Sequence, residues 1–339
     1  LLDGCARVAD DRALPFDGQV VGEDHALCHN VRDGRVDLGP VEPEPHIHDV
    51  IVVGGGVSGV AAAWKLTRSG VRDILVVERG DELGGTSLAG QVDGQSFAWA
   101  AHYIESPSPG CPHMHEICQD LGIIRDTVGE WPVVDPRYVV PEPEVGLRAG
   151  SSWRPAHFPM QIATPADVVE YERFRQDMYR WVTWRDSAGR PAFGRPIERT
   201  SPDREVRDLD RITMSAYLDR IGVGSDLVRW YVNNRVVDEY GCGVETVSAW
   251  AGVQFWAQSN SSFMDFEPSG TPAPVVLSWP QGNAFLVDGM ARDLTASQKR
   301  LGSLVVNVRN AGDRVLVTCV DAADGAKAAL LARRVIYAA

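Results

Sequence analysis

Long apolar runs, lysines and patterned cysteines are what this sequence has least of, and each shortage removes a class of function. No stretch approaches the roughly 20 apolar residues needed to span a bilayer as a helix. Lysine occurs only as Lys65, Lys299 and Lys327, so most of the 33 basic residues are Arg. That looks like coding bias, and it leaves few candidates for a catalytic lysine. The cysteines, at positions 5, 28, 111, 118, 242 and 319, are too scattered for a disulfide framework or a C-x-x-C zinc pattern, and do not decide the redox compartment. Positive charge is also in deficit. A formal net charge of −13 repels nucleic acid and anionic membrane surfaces, so no nucleic-acid partner is expected.

What remains is ordinary for a globular protein: 339 residues, 44% hydrophobic and 23% charged, enough for a large buried core and two domains. Residues 1–47 read as an extended lead-in, with Pro40, Pro43 and Pro45 near its end. Leu1-Leu2-Asp3-Gly4-Cys5 resembles the end of a bacterial lipoprotein signal, which would make Cys5 a lipid anchor and favour the cell envelope over the cytoplasm. A short unstructured tail is the alternative.

The strongest local signal begins at Asp49. Asp49-Val50-Ile51-Val52-Val53 is a β-branched run suited to a strand buried on both faces of a parallel sheet. A glycine-rich turn follows, then a helix-forming stretch from Val60 to Ser69-Gly70, then a second buried strand, Asp73-Ile74-Leu75-Val76-Val77-Glu78. Gly54, Gly56 and Gly59 give G-x-G-x-x-G where a dinucleotide site requires it. Gly54 makes the tight turn, Gly56 admits the pyrophosphate and Gly59 lets helix and strand pack closely. Phosphates are expected against the free N–H groups of the helix start, with Gly55, Val57 and Ser58 completing the loop. Glu78 lies nineteen residues after Gly59, where a carboxylate accepts the adenosine ribose hydroxyls.

Helical character is read over 112–121, 164–184 and 213–220, with a polar loop over 185–210 and an aromatic-rich stretch over 226–258. Ser303–Val308 and Arg314–Val320 flank a hairpin signal at Asn310-Ala311-Gly312-Asp313, and Arg334–Ala339 reads as a last strand. Cys111-Pro112-His113-Met114-His115-Glu116-Ile117-Cys118 invites a metal reading. Pro112 suits a first helical turn, however, and Met114, Ile117, Cys118 and Leu121 recur at core spacing, so no metal is expected there. His46 and His48 precede the first strand and read as solvated.

These residues alone leave the dinucleotide open. Glu78-Arg79-Gly80-Asp81-Glu82-Leu83-Gly84-Gly85-Thr86-Ser87 resembles the acid and paired glycines of the amine-oxidase-like FAD-dependent oxidoreductases, although Thr86 stands where members usually carry Arg. Further segments resemble an uncharacterised bacterial branch of that superfamily: Trp99–Tyr103, Trp230–Asn234, Asp238–Gly241, Ser248–Gly252 and Trp279–Asn283. The resemblance runs over residues 16–339. It implies an α/β protein, a Rossmann-like FAD-binding domain with an inserted α+β substrate domain. Its expected divisions are 48–110 for the first FAD segment, 111–295 for the substrate domain and 296–339 for an incomplete FAD return. A further C-terminal stretch is expected in the complete protein.

It also implies FAD as cofactor, with Arg79, Gly84, Gly85 and Thr86 along it and the backbone of Val305 at the adenine. His102 and Tyr103 fall near the flavin as candidate catalytic residues, or as residues that pack beneath the cofactor. Tyr231, Asn234, Asp238 and Tyr240 are weaker substrate-side candidates. The expected reaction is two-electron oxidation of a small organic substrate of amine type, with oxygen or a quinone as acceptor. A nicotinamide-dependent reductase and a non-catalytic flavin-binding or assembly protein are the alternatives.

Overall fold

A computed structural model describes residues 25–129, 131–141, 146–149, 151–154, 158–194, 196–258 and 275–339. Cys5 lies outside these residues. The chain forms two compact units, one from the described residues up to Leu83 together with Leu294–Ala339, the other Gly84–Asp293. None of the described helices is long and apolar enough to cross a membrane.

The first unit is built on a six-stranded sheet. Its strands are β1 (Pro43–Val53), β2 (Ile74–Val77), β3 (Lys299–Arg300), β4 (Ser303–Ala311), β5 (Arg314–Asp321) and β6 (Lys327–Tyr337), in spatial order β3-β2-β1-β6-β5-β4. β2 and β6 both pair parallel to β1, with Val50 opposite Ile74 on one side and Arg334 on the other. β1 therefore occupies the middle of the sheet, and Val50 to Val53 are all buried, as an uninterrupted β-branched run requires. Helix α1 (Val57–Arg68) joins β1 to β2 and makes the parallel β-α-β unit. Ile51, Val53, Leu75 and Val77 share an apolar cluster with Val317, Cys319, Leu330 and Ala332.

Three sequence expectations change here. β1 starts at Pro43, so the residues around Pro43 and Pro45 belong to the strand and not to a lead-in. The pairing with β6 is irregular between Pro43 and Ile47, which is where a sheet tolerates residues without a donor N–H. The last strand starts at Lys327, seven residues before Arg334, and the hairpin strands run through Asn310 and Ala311 to leave a two-residue turn at Gly312-Asp313. His46 and His48 consequently sit within β1, and the His48 side chain keeps only 14% of its exposure.

The second unit is mainly helical. In the helix Pro165–Thr183, Tyr171, Phe174, Met178 and Trp181 recur every three or four residues and are buried, while Thr164 and Asp167 form a capping box at its start. They pack with Tyr217, Tyr231 and Trp256 from the helices Met214–Arg220, Asp226–Tyr240 and Ala249–Gln258. The expected loop over 185–210 contains a short helix, Arg204–Asp208, which Asp203 caps by accepting from the Glu205 N–H.

Two carboxylates organise this unit. The Asp135 side chain is fully enclosed and accepts from Arg125 Nη2 at 2.6 Å, Arg137 Nη2 at 2.7 Å, Arg137 Nε at 2.9 Å and the Arg137 N–H at 2.9 Å. Asp186 ties its loop by accepting from Ser201 Oγ, Arg190 Nε and the N–H groups of Ala188 and Arg190.

Candidate dinucleotide site

The glycine-rich loop divides its work among three residues. Gly54 has φ +97°, and a Cβ there would lie 2.8 Å from the carbonyl oxygen of Ala338. A Cβ on Gly59 would meet the carbonyl oxygen of Gly54 at 1.8 Å, so the helix sits on the loop only because glycine is there. Gly56 is different: no atom lies within 4 Å of a Cβ built on it. Its backbone is therefore open to an approaching ligand.

Gly56 is also the N-cap of α1 and offers no side-chain cap, and the first turn contains no acidic residue. Val57 and Ser58 are exposed. The N–H groups that every helix start leaves unpaired thus meet open space, at the positive end of the helix dipole. That is the physical make-up of an anion site.

Glu78 follows β2. Its N–H donates to the Arg300 carbonyl at 2.9 Å and its carbonyl accepts from the Ser303 N–H at 2.8 Å, so the backbone is fixed on both sides. Its carboxylate reaches back to the loop, with Oε2 accepting from the Gly55 N–H at 2.6 Å and Oε1 from the Gly80 N–H at 2.7 Å. A carboxylate offers about four acceptor positions, so about two remain for a ribose diol. Arg79 is half-buried next in sequence, and Val305 lies on β4 opposite Cys319, just before an irregularity in the pairing. Fit to a bound dinucleotide is thus tested by three features together: an open Gly56, an uncapped helix start and a carboxylate with acceptors to spare. The residues present satisfy all three.

In the second unit, Gly84 (φ +145°) and Gly85 (φ +57°) both take left-handed conformations and open a 3-10 turn, Gly85–Ser87. The Thr86 carbonyl accepts from the Ala101 N–H at 3.1 Å, which joins this turn to the segment carrying His102 and Tyr103. Both side chains are exposed, with rings 5.0 Å apart, and His102 Nδ1 lies 2.9 Å from the Ala100 carbonyl.

The segment Trp279–Asn283 closes on the same place. Asn283 donates from its N–H to the Ala101 carbonyl and from Nδ2 to the Tyr103 carbonyl at 3.1 Å, and Ser278 Oγ donates to the His102 carbonyl at 2.7 Å. Gly282 permits the contact, since its Cβ would lie 2.4 Å from that of Ala98. Asn283 Oδ1 is enclosed without a hydrogen-bond partner among the described residues. Ser278 was not singled out in the sequence and Asn283 only as the end of a family-like segment, and no local pattern pairs them with residues some 180 positions away. Only the likeness of Trp279–Asn283 to the same family as Trp99–Tyr103 hinted at it.

Other candidates do not gather into a site. Tyr231 is core, ringed by Phe158, Tyr171 and Trp256. Tyr240 Oη donates to the Ala251 carbonyl, and Asn234 and Asp238 are exposed. Cys118 is buried in the helix Pro112–Asp120, where burial pushes its thiol up to about 12, so it stays a protonated core residue.

Comparison with known proteins agrees with this geometry. A family described as an NAD(P)-binding Rossmann-like domain matches residues 52–121. Pseudooxynicotine dehydrogenase from Pseudomonas sp is 22% identical over 300 residues, 87% of this chain and 53% of that protein. (S)-6-hydroxynicotine oxidase from Paenarthrobacter nicotinovorans is 24% identical over 282 residues, 81% of this chain and 57% of that protein. Among solved structures, cyclohexylamine oxidase from Brevibacterium oxydans shares the fold with a TM-score of 0.55 and 18% identity, covering 86% of this chain and 58% of that one. The chain spans between half and three-fifths of the length of these relatives. It carries a Rossmann-like dinucleotide-binding domain and is similar over most of its length to this dehydrogenase and these oxidases.

Proposed function

We propose that the dinucleotide held by this chain is FAD and that the protein oxidises a small organic substrate of amine class by two electrons. The observation that carries this is the loop itself, with Gly56 open, the start of α1 uncapped and Glu78 fixed beside it. Val57, Ser58 and Gly59 present the N–H groups for the pyrophosphate, and Glu78 takes the ribose hydroxyls. Arg79, Gly84, Gly85, Thr86 and the Val305 backbone are assigned further cofactor contacts by the family likeness. FAD, when bound, supplies the redox chemistry by accepting hydride at N5. The amine class rests on relatives named for cyclohexylamine and 6-hydroxynicotine. One relative is named a dehydrogenase and another an oxidase, so a quinone and oxygen both stand as acceptors.

His102 is assigned the general base and Tyr103 a place beside the substrate, both held through backbone carbonyls by Ser278 and Asn283. The direct test is the absorbance of natively purified protein with mass analysis of what it releases: a yellow protein releasing FAD is expected. A colourless protein that binds NADH would instead support a nicotinamide-dependent reductase, in line with the NAD(P)-binding family matched over residues 52–121. His102→Ala is expected to slow anaerobic flavin reduction by about 100-fold at unchanged FAD content. An unaltered rate and pH profile would reduce His102 to packing.

A further inference from the structure

At the opposite end of β1 from Gly54, two histidines and a carboxylate converge. His46 and His48 are two residues apart on the strand and so share a face, and Asp73 stands at the entry to β2, which pairs beside β1. His46 Nε2 lies 3.0 Å from Asp73 Oδ2, and His48 Nδ1 lies 2.9 Å from Asp73 Oδ1. One ligand atom from each of the three residues falls within 4.8 Å of the others. His48 is mostly enclosed, Asp73 is about a third exposed and His46 faces solvent, so the cluster is held from below and open above.

We propose that His46, His48 and Asp73 form a divalent transition-metal site of zinc class, with water in the fourth position. Two imidazoles and one carboxylate are a donor set that zinc accepts. Around a tetrahedral zinc, neighbouring ligand atoms stand about 3.3 Å apart. The nitrogen–oxygen separations observed are a few tenths of an ångström short of that, and all three ligand atoms already lie within 4.8 Å of one another. The metal-facing atoms are Nε2 of His46 and Nδ1 of His48, the atoms now aimed at the carboxylate. On metal binding the ligating nitrogen gives up the proton it now donates to the carboxylate, and each neutral ring carries its proton on the other nitrogen.

The site is structural. The strand between His48 and Gly54 spans roughly 20 Å, which separates the ion from the dinucleotide loop. Metal there ties the entry of β1 to the entry of β2, the two strands whose far ends carry Gly54 and Glu78. It therefore stabilises the cofactor-binding unit without taking part in the reaction.

Titration of Zn²⁺ into chelator-treated protein by calorimetry, repeated with Co²⁺ by absorption spectroscopy, tests this. One ion per chain is expected, with the visible spectrum of a tetrahedral cobalt centre. A Tm rise of roughly 5 °C is expected at a hundredfold excess over Kd. Because His46 is exposed, His46→Ala is expected to fold, and it should weaken uptake at least 10-fold, as should Asp73→Asn. His25 and His29 are the control, since their rings also lie 4.8 Å apart. His25→Ala/His29→Ala should leave uptake unchanged. Uptake that survives His46→Ala/His48→Ala, or follows the His25–His29 pair, overturns the proposal. So does an octahedral or absent cobalt signal.

Discussion

The two units place their chemistry on different kinds of atom. In the first, the proposed cofactor site is made of backbone: the N–H groups at the start of α1, the open face of Gly56 and a turn that only glycine completes, with one side chain, Glu78, fixed by two N–H donors. In the second, the candidate groups are side chains, and what fixes them is a meeting of Ala98–Tyr103 with Ser278–Asn283 across more than half the chain. Backbone sites tolerate little change and announce themselves through glycine spacing. Side-chain sites tolerate more, and depend on contacts that no short motif encodes.

That contrast can be broken most sharply at Gly59. Alanine there puts a methyl group 1.8 Å from the Gly54 carbonyl oxygen, so loop and helix must separate. A loss of about 3 kcal/mol in stability is expected, together with loss of bound cofactor, measured by denaturant titration and by cofactor content after desalting. Gly56→Ala meets no atom and should fold normally while binding less cofactor. If both variants behave alike, packing and not ligand approach governs the loop.

A smaller effect is expected at Glu78. Glu78→Gln keeps the side chain's size but turns an amide donor toward either the Gly55 or the Gly80 N–H, each of which now donates to a carboxylate oxygen. Hydrogen bonds to a charged partner contribute about 1.5–3 kcal/mol, so this substitution should weaken cofactor binding by roughly 10–100-fold. Fluorescence titration of the apo-protein measures it. An unchanged affinity would leave the carboxylate a loop brace only.

The same contrast explains what was legible in the sequence. Gly54, Gly56, Gly59 and Glu78 were legible because their spacing follows from local geometry, as were the helices Pro112–Asp120 and Pro165–Thr183 from Pro positions and apolar period. The His46–His48–Asp73 cluster was not, because Pro43 and Pro45 argue against a strand and only the pairing with β6 overrides them. The first half of β6 drew no strand reading in the sequence, whereas a turn with Gly325 at φ +73° leads the chain back along β5 from Lys327. Asp135, fully enclosed between two arginines, looked in sequence like any acidic loop residue.

Asp135 offers the finest test, because it asks whether the second unit also relies on a fixed charge. Hydrogen bonds from Arg137 and Arg125 hold its carboxyl far below the ordinary range against the opposing effect of burial. A carboxylate whose pKa is depressed on folding contributes stability that is fully present above about pH 4, the unfolded-state value, and disappears as pH falls toward the folded-state value. Asp186, lowered to about 2 with the Ser201 hydrogen bond as the largest cause, shares that sign over a narrower window. Wild type and Asp135→Asn should therefore differ most in urea midpoint at neutral pH and converge under acid, and Asp186→Asn should do the same more weakly. A difference for Asp135→Asn that is constant from pH 7 to acid would mean that shape, and not charge, is what the two arginines recognise.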